Sequence, residues 1–237
     1  MKLNIYKDKQ AVAKEFSEFL MDQLKEKEEL TVALSGGSTP KIVFDHLAEL
    51  FAEAQWSKIK FYWGDERCVP PTDSESNYKM TVDHLFSKIN VPEENIYRVL
   101  GENDPAEEAV RYGKVLNETL PVAGDTPRFD LVILGMGDDG HTASIFPENI
   151  EMWDADENCI VASHPQSGQK RVSLTGKVIN NASAVAFLVT GAGKAEKVDE
   201  ILNKKEGYKK YPAALVNPPS QNLYWFMDEA AAEKLSQ

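Results

Sequence analysis

The residues best suited to chemistry are Asp138, Asp139 and His141, inside the stretch FDLVILGMGDDGHTASIFP at 129–147. An imidazole is the side chain most readily used as a general base, and a carboxylate beside it can orient the ring and stabilise its charged form. The residues before them, Phe129 to Leu134, are apolar at five of six positions, which suits a strand buried on both faces. Gly135, Gly137 and Gly140 then let the backbone turn sharply. Those glycines also match G-x-G-x-x-G, the dinucleotide fingerprint. Asp138 and Asp139 would repel a pyrophosphate, however, and Pro147 leaves little room for a continuous helix. A tight turn in which His141 only caps or packs is the other reading. A lone histidine would suit that turn, whereas an Asp-x-His trio in a glycine loop after a buried strand favours a catalytic His141.

Three further features are candidates. Ser35-Gly36-Gly37-Ser38-Thr39 joins the apolar run LTVAL to a helix opened by Pro40. Hydroxyls, a Gly-Gly turn and a helix N-terminus make an anion site, although the Gly-Lys-Ser/Thr ending of a Walker loop is absent. Asp65-Glu66-Arg67 follows another apolar run; three charges in a loop are usually solvated, and only their place beyond a strand makes them candidates. Arg171 and Lys194 are local cations beside a strand and at a helix start. Arginine offers a bidentate fork for phosphate, and a lysine at a helix N-terminus opposes the dipole, which favours a ligand role. His46 and His84 are expected on helices and His164 before Pro165, all three as spectators. HExxH, metal-spaced His/Asp clusters and GxSxG are absent, and Ser35 or Ser144 as nucleophile has no base beside it in sequence.

These loops need strands to carry them. Strands are expected at Leu3–Tyr6, Leu30–Leu34, Ile59–Trp63, Ile96–Leu100, Phe129–Leu134, Ile160–Ser163, Arg171–Thr175, Ala184–Thr190 and Leu223–Phe226. Helices are expected at Lys9–Lys27, from Ser38 or Thr39 as N-cap through Phe51, near Asn77–Ile89, at Pro105–Leu120, to about Leu202 after Gly191-Ala192-Gly193-Lys194, and at the C-terminus. The alternation predicts a doubly wound, mainly parallel α/β sheet with helices on both faces. Ligands of such sheets bind beyond the carboxyl ends of the strands, where each candidate loop falls.

A chain of 237 residues fits one α/β domain, 1–237, with no repeat or linker visible. It buries roughly 70–75% of its unfolded surface and needs no disulfide or metal to fold. Cys68 and Cys159 form no CxxC pair; Cys159 opens the apolar run CIVA and is expected in the core, and Cys68 is expected as a spectator thiol. A net charge of −12 argues against a nucleic-acid partner but not against a small anion, because a few local cations suffice within a screening length of about 8 Å. MKLNIYKDK lacks a signal-peptide run and no stretch approaches 18 apolar residues, so a cytoplasmic protein without a membrane partner is expected.

Taken in order, LSGGSTP (34–40), GDERCVP (64–70), GMGDDGHTASIFP (135–147), RVSLT (171–175), GAGKA (191–195) and PAALVNP (212–218) resemble 6-phosphogluconolactonase. Several are shared by the wider sugar-phosphate group that includes glucosamine-6-phosphate deaminase. The resemblance covers nearly the whole chain. It implies hydrolysis of 6-phosphoglucono-1,5-lactone to 6-phosphogluconate in the oxidative pentose phosphate pathway, without cofactor, by a monomer or small homo-oligomer. It also implies His141 as general base and Asp139 as its acidic neighbour. Arg67, Arg171 and Lys194 would hold the phosphate, with Gly36, Gly37 and Ser38 lining its cradle and Asp65 beside them. In the deaminases the corresponding loop is similar to GHIAFNEP, with a glutamate five residues after the histidine. Here that position is Phe146, and Glu148 comes two residues late. A sensor of the same fold would carry a basic DNA-binding helix pair, which this acidic chain lacks.

Overall fold

The structure, a computed structural model, describes residues 1–235. The chain opens with β1 (Lys2–Tyr6), α1 (Lys9–Lys25), β2 (Leu30–Leu34), α2 (Ser38–Leu50), β3 (Ile59–Trp63), β4 (Asp65–Arg67) and α3 (Asn77–His84). Next come α4 (Pro105–Thr119), a ribbon of β5 (Val122–Ala123) and β6 (Thr126–Pro127), β7 (Leu131–Leu134), β8 (Cys159–Ser163), β9 (Lys170–Leu174) and α5 (Gly176–Asn181). It closes with β10 (Ala184–Val189), α6 (Ala195–Leu202), β11 (Leu223–Asp228) and α7 (Glu229–Ala232).

The main sheet has the order β1-β11-β10-β7-β2-β3, with every pair parallel. Every residue of β2, β7 and β10 is buried, the burial expected of strands covered on both faces. From β1 to β2 to β3 the chain steps toward one edge; from β7 to β10 to β11 it steps toward the other. Right-handed crossovers therefore place α1 and α2 on one face, where they touch, and send the later connections to the opposite face. The direction reverses between the adjacent strands β2 and β7. A crevice opens at such a switch point, because the two following loops leave in opposite directions.

Local chemistry explains the helices that matter. Asp8 caps α1 by accepting from the N–H groups of Gln10 and Ala11, and Val12, Phe16, Leu20 and Leu24 form its buried stripe. Asp104 caps α4 in the same way, with Pro105 at the first helical position. Phe187 and Trp225, neighbours across β10 and β11, stack at 4.2 Å in the core.

Several sequence expectations are corrected. Asp65–Arg67 is a strand, β4, that pairs antiparallel with β9, which pairs with β8 in a separate three-stranded sheet. Its charges are not solvated: Asp65 and Glu66 are buried. Glu66 can be interior because it accepts from the N–H groups of Arg67, Asn77 and Tyr78 and from Ser76 Oγ. Burial pushes the Glu66 carboxyl up, and those donors only partly offset the effect. Ile96–Leu100 forms no strand; Ile96 makes one isolated bridge to Phe61. The helix at Asn77 ends at His84 and a short 3-10 turn follows at Phe86–Lys88. The C-terminal helix is only Glu229–Ala232. Ser38 and Thr39 lie inside α2; Gly37 is the N-cap, and no side chain caps that end.

Candidate active site

The loop after β7 brings imidazole and carboxylate together. His141 Nδ1 lies 2.6 Å from Asp139 Oδ1, and the His141 backbone N–H donates to the same oxygen at 3.0 Å. With Nδ1 donating to Asp139, Nε2 carries the free lone pair, the arrangement a general base needs. Gly137 N–H donates to His141 O at 2.9 Å and Gly140 N–H to Gly137 O at 3.0 Å, which closes the loop on itself. A Cβ on Gly137 would lie 2.1 Å from His141 Nδ1, so only glycine lets the imidazole sit there. Burial opposes ionisation of Asp139. The ring and backbone hydrogen bonds and the charge of His141 outweigh it, and hold the carboxyl down to about 2. On its other side the imidazole meets the Phe146 ring, centroids 4.6 Å apart.

The loop after β2 supplies backbone donors. The ladder of α2 starts with Lys41 N–H donating to Gly37 O at 3.2 Å, so the N–H groups of Ser38 and Thr39 precede it. Thr39 Oγ1 bonds Thr190 Oγ1 at 2.8 Å and ties this loop to the end of β10.

The small antiparallel sheet supplies the cations. Arg67 and Arg171 are cross-strand partners between β4 and β9. Arg67 Nη1 donates to Glu75 O, and Arg171 Nη1 lies 3.5 Å from Ser144 Oγ. Among the described residues the Nε atoms of both are buried without a hydrogen-bond partner. Burial lowers the pKa of Arg171 from its ordinary value; Asp65 supports its charge and Arg67 opposes it. The Arg171 guanidinium also lies over the Phe146 ring, 5.8 Å from its centroid. Lys194, at the N-cap of α6, pairs with Asp138 at 2.5 Å.

One cavity of about 290 Å³ is lined by Gly36, Gly37, Ser38, Asp65, Arg67, His141, Arg171 and Lys194. Asp139 does not line it and stands behind the imidazole. Thr39, within the expected Ser35–Thr39 anion loop, shares the lining, as do Asn77 and Thr190, which sequence reasoning missed. Asn77 Nδ2 donates to Asp65 O at 2.9 Å, an association between residues twelve apart that no local motif announces. His164, expected as a spectator, packs edge-on against Phe146 at 5.3 Å. Ser144 is buried and gives its hydroxyl to Asp65 Oδ2 at 2.6 Å, and Ser35 Oγ donates to Gly36 O, so neither is paired with a histidine. Among the described residues no three His, Cys, Asp or Glu side chains are grouped to hold a metal ion. No helix in them is long and apolar enough to cross a membrane.

The family described as Glucosamine-6-phosphate isomerases/6-phosphogluconolactonase matches residues 7–225. The 6-phosphogluconolactonase of Treponema pallidum is 44% identical over 197 residues, 83% of this chain and 82% of that protein. That of Haemophilus influenzae is 43% identical over 206 residues, 86% of this chain and 87% of its own length. The solved structure of 6-phosphogluconolactonase from Trypanosoma brucei superposes with a TM-score of 0.88 at 29% identity, covering 99% of this chain and 98% of that one. The chain belongs to the glucosamine-6-phosphate isomerase/6-phosphogluconolactonase family.

Proposed function

We propose that this protein hydrolyses 6-phosphoglucono-1,5-lactone to 6-phosphogluconate, with a water activated by His141. The carrying observation is that the Asp139–His141 pair and the Arg67 and Arg171 side chains serve one cavity. The similarity to the Treponema and Haemophilus enzymes supports the same substrate.

In this reading the phosphate is held by Arg67, Arg171 and Lys194, with the N–H groups at the start of α2. Each charge-assisted hydrogen bond is worth roughly 1.5–3 kcal/mol. That anchors the lactone with C1 toward His141. Water attacks C1 while its proton passes to Nε2, and Asp139 stabilises the resulting imidazolium through Nδ1–H. The C1–O5 bond then breaks, and O5 takes a proton from the imidazolium or from water. A lactone is an activated ester, so one base suffices and no covalent intermediate is required.

The test is a coupled assay with freshly generated lactone, followed faster than its spontaneous hydrolysis. Turnover well above the spontaneous rate is expected, and no turnover would overturn the reading. A parallel assay with glucosamine 6-phosphate checks the deaminase alternative. Phe146, only 1% exposed and packed on His141, cannot relay a proton, and Glu148 is exposed. No ammonia is expected, and ammonia at a rate rivalling lactone hydrolysis would reverse the assignment.

A further inference from the structure

Gly140 lies between Asp139 and His141 with φ at 85°, a conformation that favours glycine. Its α-carbon rests on the ring of Tyr211: a Cβ there would lie 2.7 Å from Tyr211 Cδ1 and 2.8 Å from Cγ. A second contact comes from the same segment, where Ala213 N–H donates to Gly140 O at 3.1 Å. The residue linking base and carboxylate is thus gripped from outside its own loop.

Tyr211 is itself fixed by α6. It is 5% exposed, and its hydroxyl donates to Glu200 Oε2. Glu200 also accepts from Lys197 Nζ at 3.0 Å, and that ammonium sits 4.9 Å from the Tyr211 centroid. The same helix begins immediately after Lys194, whose ammonium reaches Asp138 on the loop's other side. The dyad loop is thus held at both ends of the segment from Asp138 to Gly140, once by the ion pair at the start of α6 and once by a buried ring that α6 fixes. The Asp138 side chain is 79% exposed, so its pair with Lys194 contributes at most about 1 kcal/mol and holds the loop weakly. The buried ring is the firmer of the two.

We propose that Tyr211 is a positioning residue for the Asp139–His141 dyad, fixing the dyad through Gly140 in register with Lys194 at the start of α6. Without the ring, a glycine with wide backbone freedom would separate the two partners of a short hydrogen bond. For its kinetic readout the inference rests on the lactonase reading above.

The test compares Tyr211→Phe, Tyr211→Leu and Tyr211→Ala, the leucine variant keeping enough apolar volume to fold. Kinetics on the lactone are paired with an NMR titration of the Asp139 carboxyl in the free protein, which needs no activity. Loss of the ring is expected to lower kcat by about 10–100-fold with KM within about twofold, since small misplacements of reacting groups cost that much. The Asp139 titration should move up from about 2 toward its ordinary 3.8 as its partner loosens. Tyr211→Phe keeps the ring and should stay within about threefold of wild type in kcat, with Asp139 unmoved. A leucine variant that melts earlier yet keeps wild-type kcat and the wild-type Asp139 titration would make Tyr211 ordinary core and overturn the proposal. If the wild-type protein fails to hydrolyse the lactone, the functional reading falls alone, because the carboxyl titration still decides the role of Tyr211.

Discussion

Arg67 and Arg171 stand opposite each other across β4 and β9, two guanidinium groups in direct register, each with a buried and unpartnered Nε. Like charges facing each other across an antiparallel pair destabilise it unless an anion lies between them or nearby. Asp65 supports the Arg171 charge, and in the proposed reading a bound phosphate would neutralise both arginines.

A bound phosphate should therefore stabilise the protein through this pair. Inorganic phosphate at about 100 times its Kd should add roughly 2.7 kcal/mol, read as a rise in Tm. The rise should largely disappear in Arg67→Ala and Arg171→Ala. Each variant should also lose about ten- to a hundredfold in kcat/KM on the phosphorylated lactone, and far less on the unphosphorylated one. Equal losses on both lactones would mark the arginines as structural.

Replacing His141 by Ala or Asn removes the proposed base and leaves the cations untouched. kcat should fall by about 10²–10⁴-fold while phosphate-dependent stabilisation survives. Wild-type turnover in a folded His141→Ala protein would exclude this residue as the base.

Asp139→Asn exchanges an obligate acceptor for an amide that can donate to Nδ1 and favour the wrong imidazole tautomer. kcat should drop by at least about tenfold. Stability gives a second readout with a defined sign. The folded carboxyl is held to about 2, below its ordinary 3.8, so its contribution is present above that ordinary value and is lost as pH falls toward about 2. The Tm advantage of wild type over Asp139→Asn should therefore be largest near neutral pH and shrink as the medium is acidified through this window. An advantage independent of acidity would contradict the dyad.

Glu66→Ala tests the corrected view of the Asp65–Arg67 segment. It leaves the N–H groups of Arg67, Asn77 and Tyr78 without their carboxylate. A loss of several kcal/mol in denaturant unfolding is expected, from about 1–3 kcal/mol for each neutral donor left buried and unsatisfied. A surface residue would change stability by no more than about 0.5 kcal/mol.

The sequence determined the parallel sheet and the place of its candidate site, because both depend on local pattern. Short, largely apolar runs at Leu30–Leu34 and Leu131–Leu134 suit strands covered on both faces, and the glycine-rich loops at their carboxyl ends fall where such a sheet binds ligands. The Asp139–His141 contact was equally legible, since two residues of separation in a tight glycine turn leave the side chains within reach. Tertiary structure decided whatever depends on pairing between distant segments. Arg67 meets Arg171 only because a short strand after β3 turns into a second, antiparallel sheet with β9, and nothing in GDERCVP encodes that partner. Asp65 and Glu66 look solvated in sequence; they are buried because Ser144 and the start of α3 donate to them across loops of unrelated sequence. Tyr211 carries no local signal at all. Its contact with Gly140 arises from the way α6 and the 211–213 segment fold back over the dyad loop, and long-range packing of that kind leaves no periodicity in the chain.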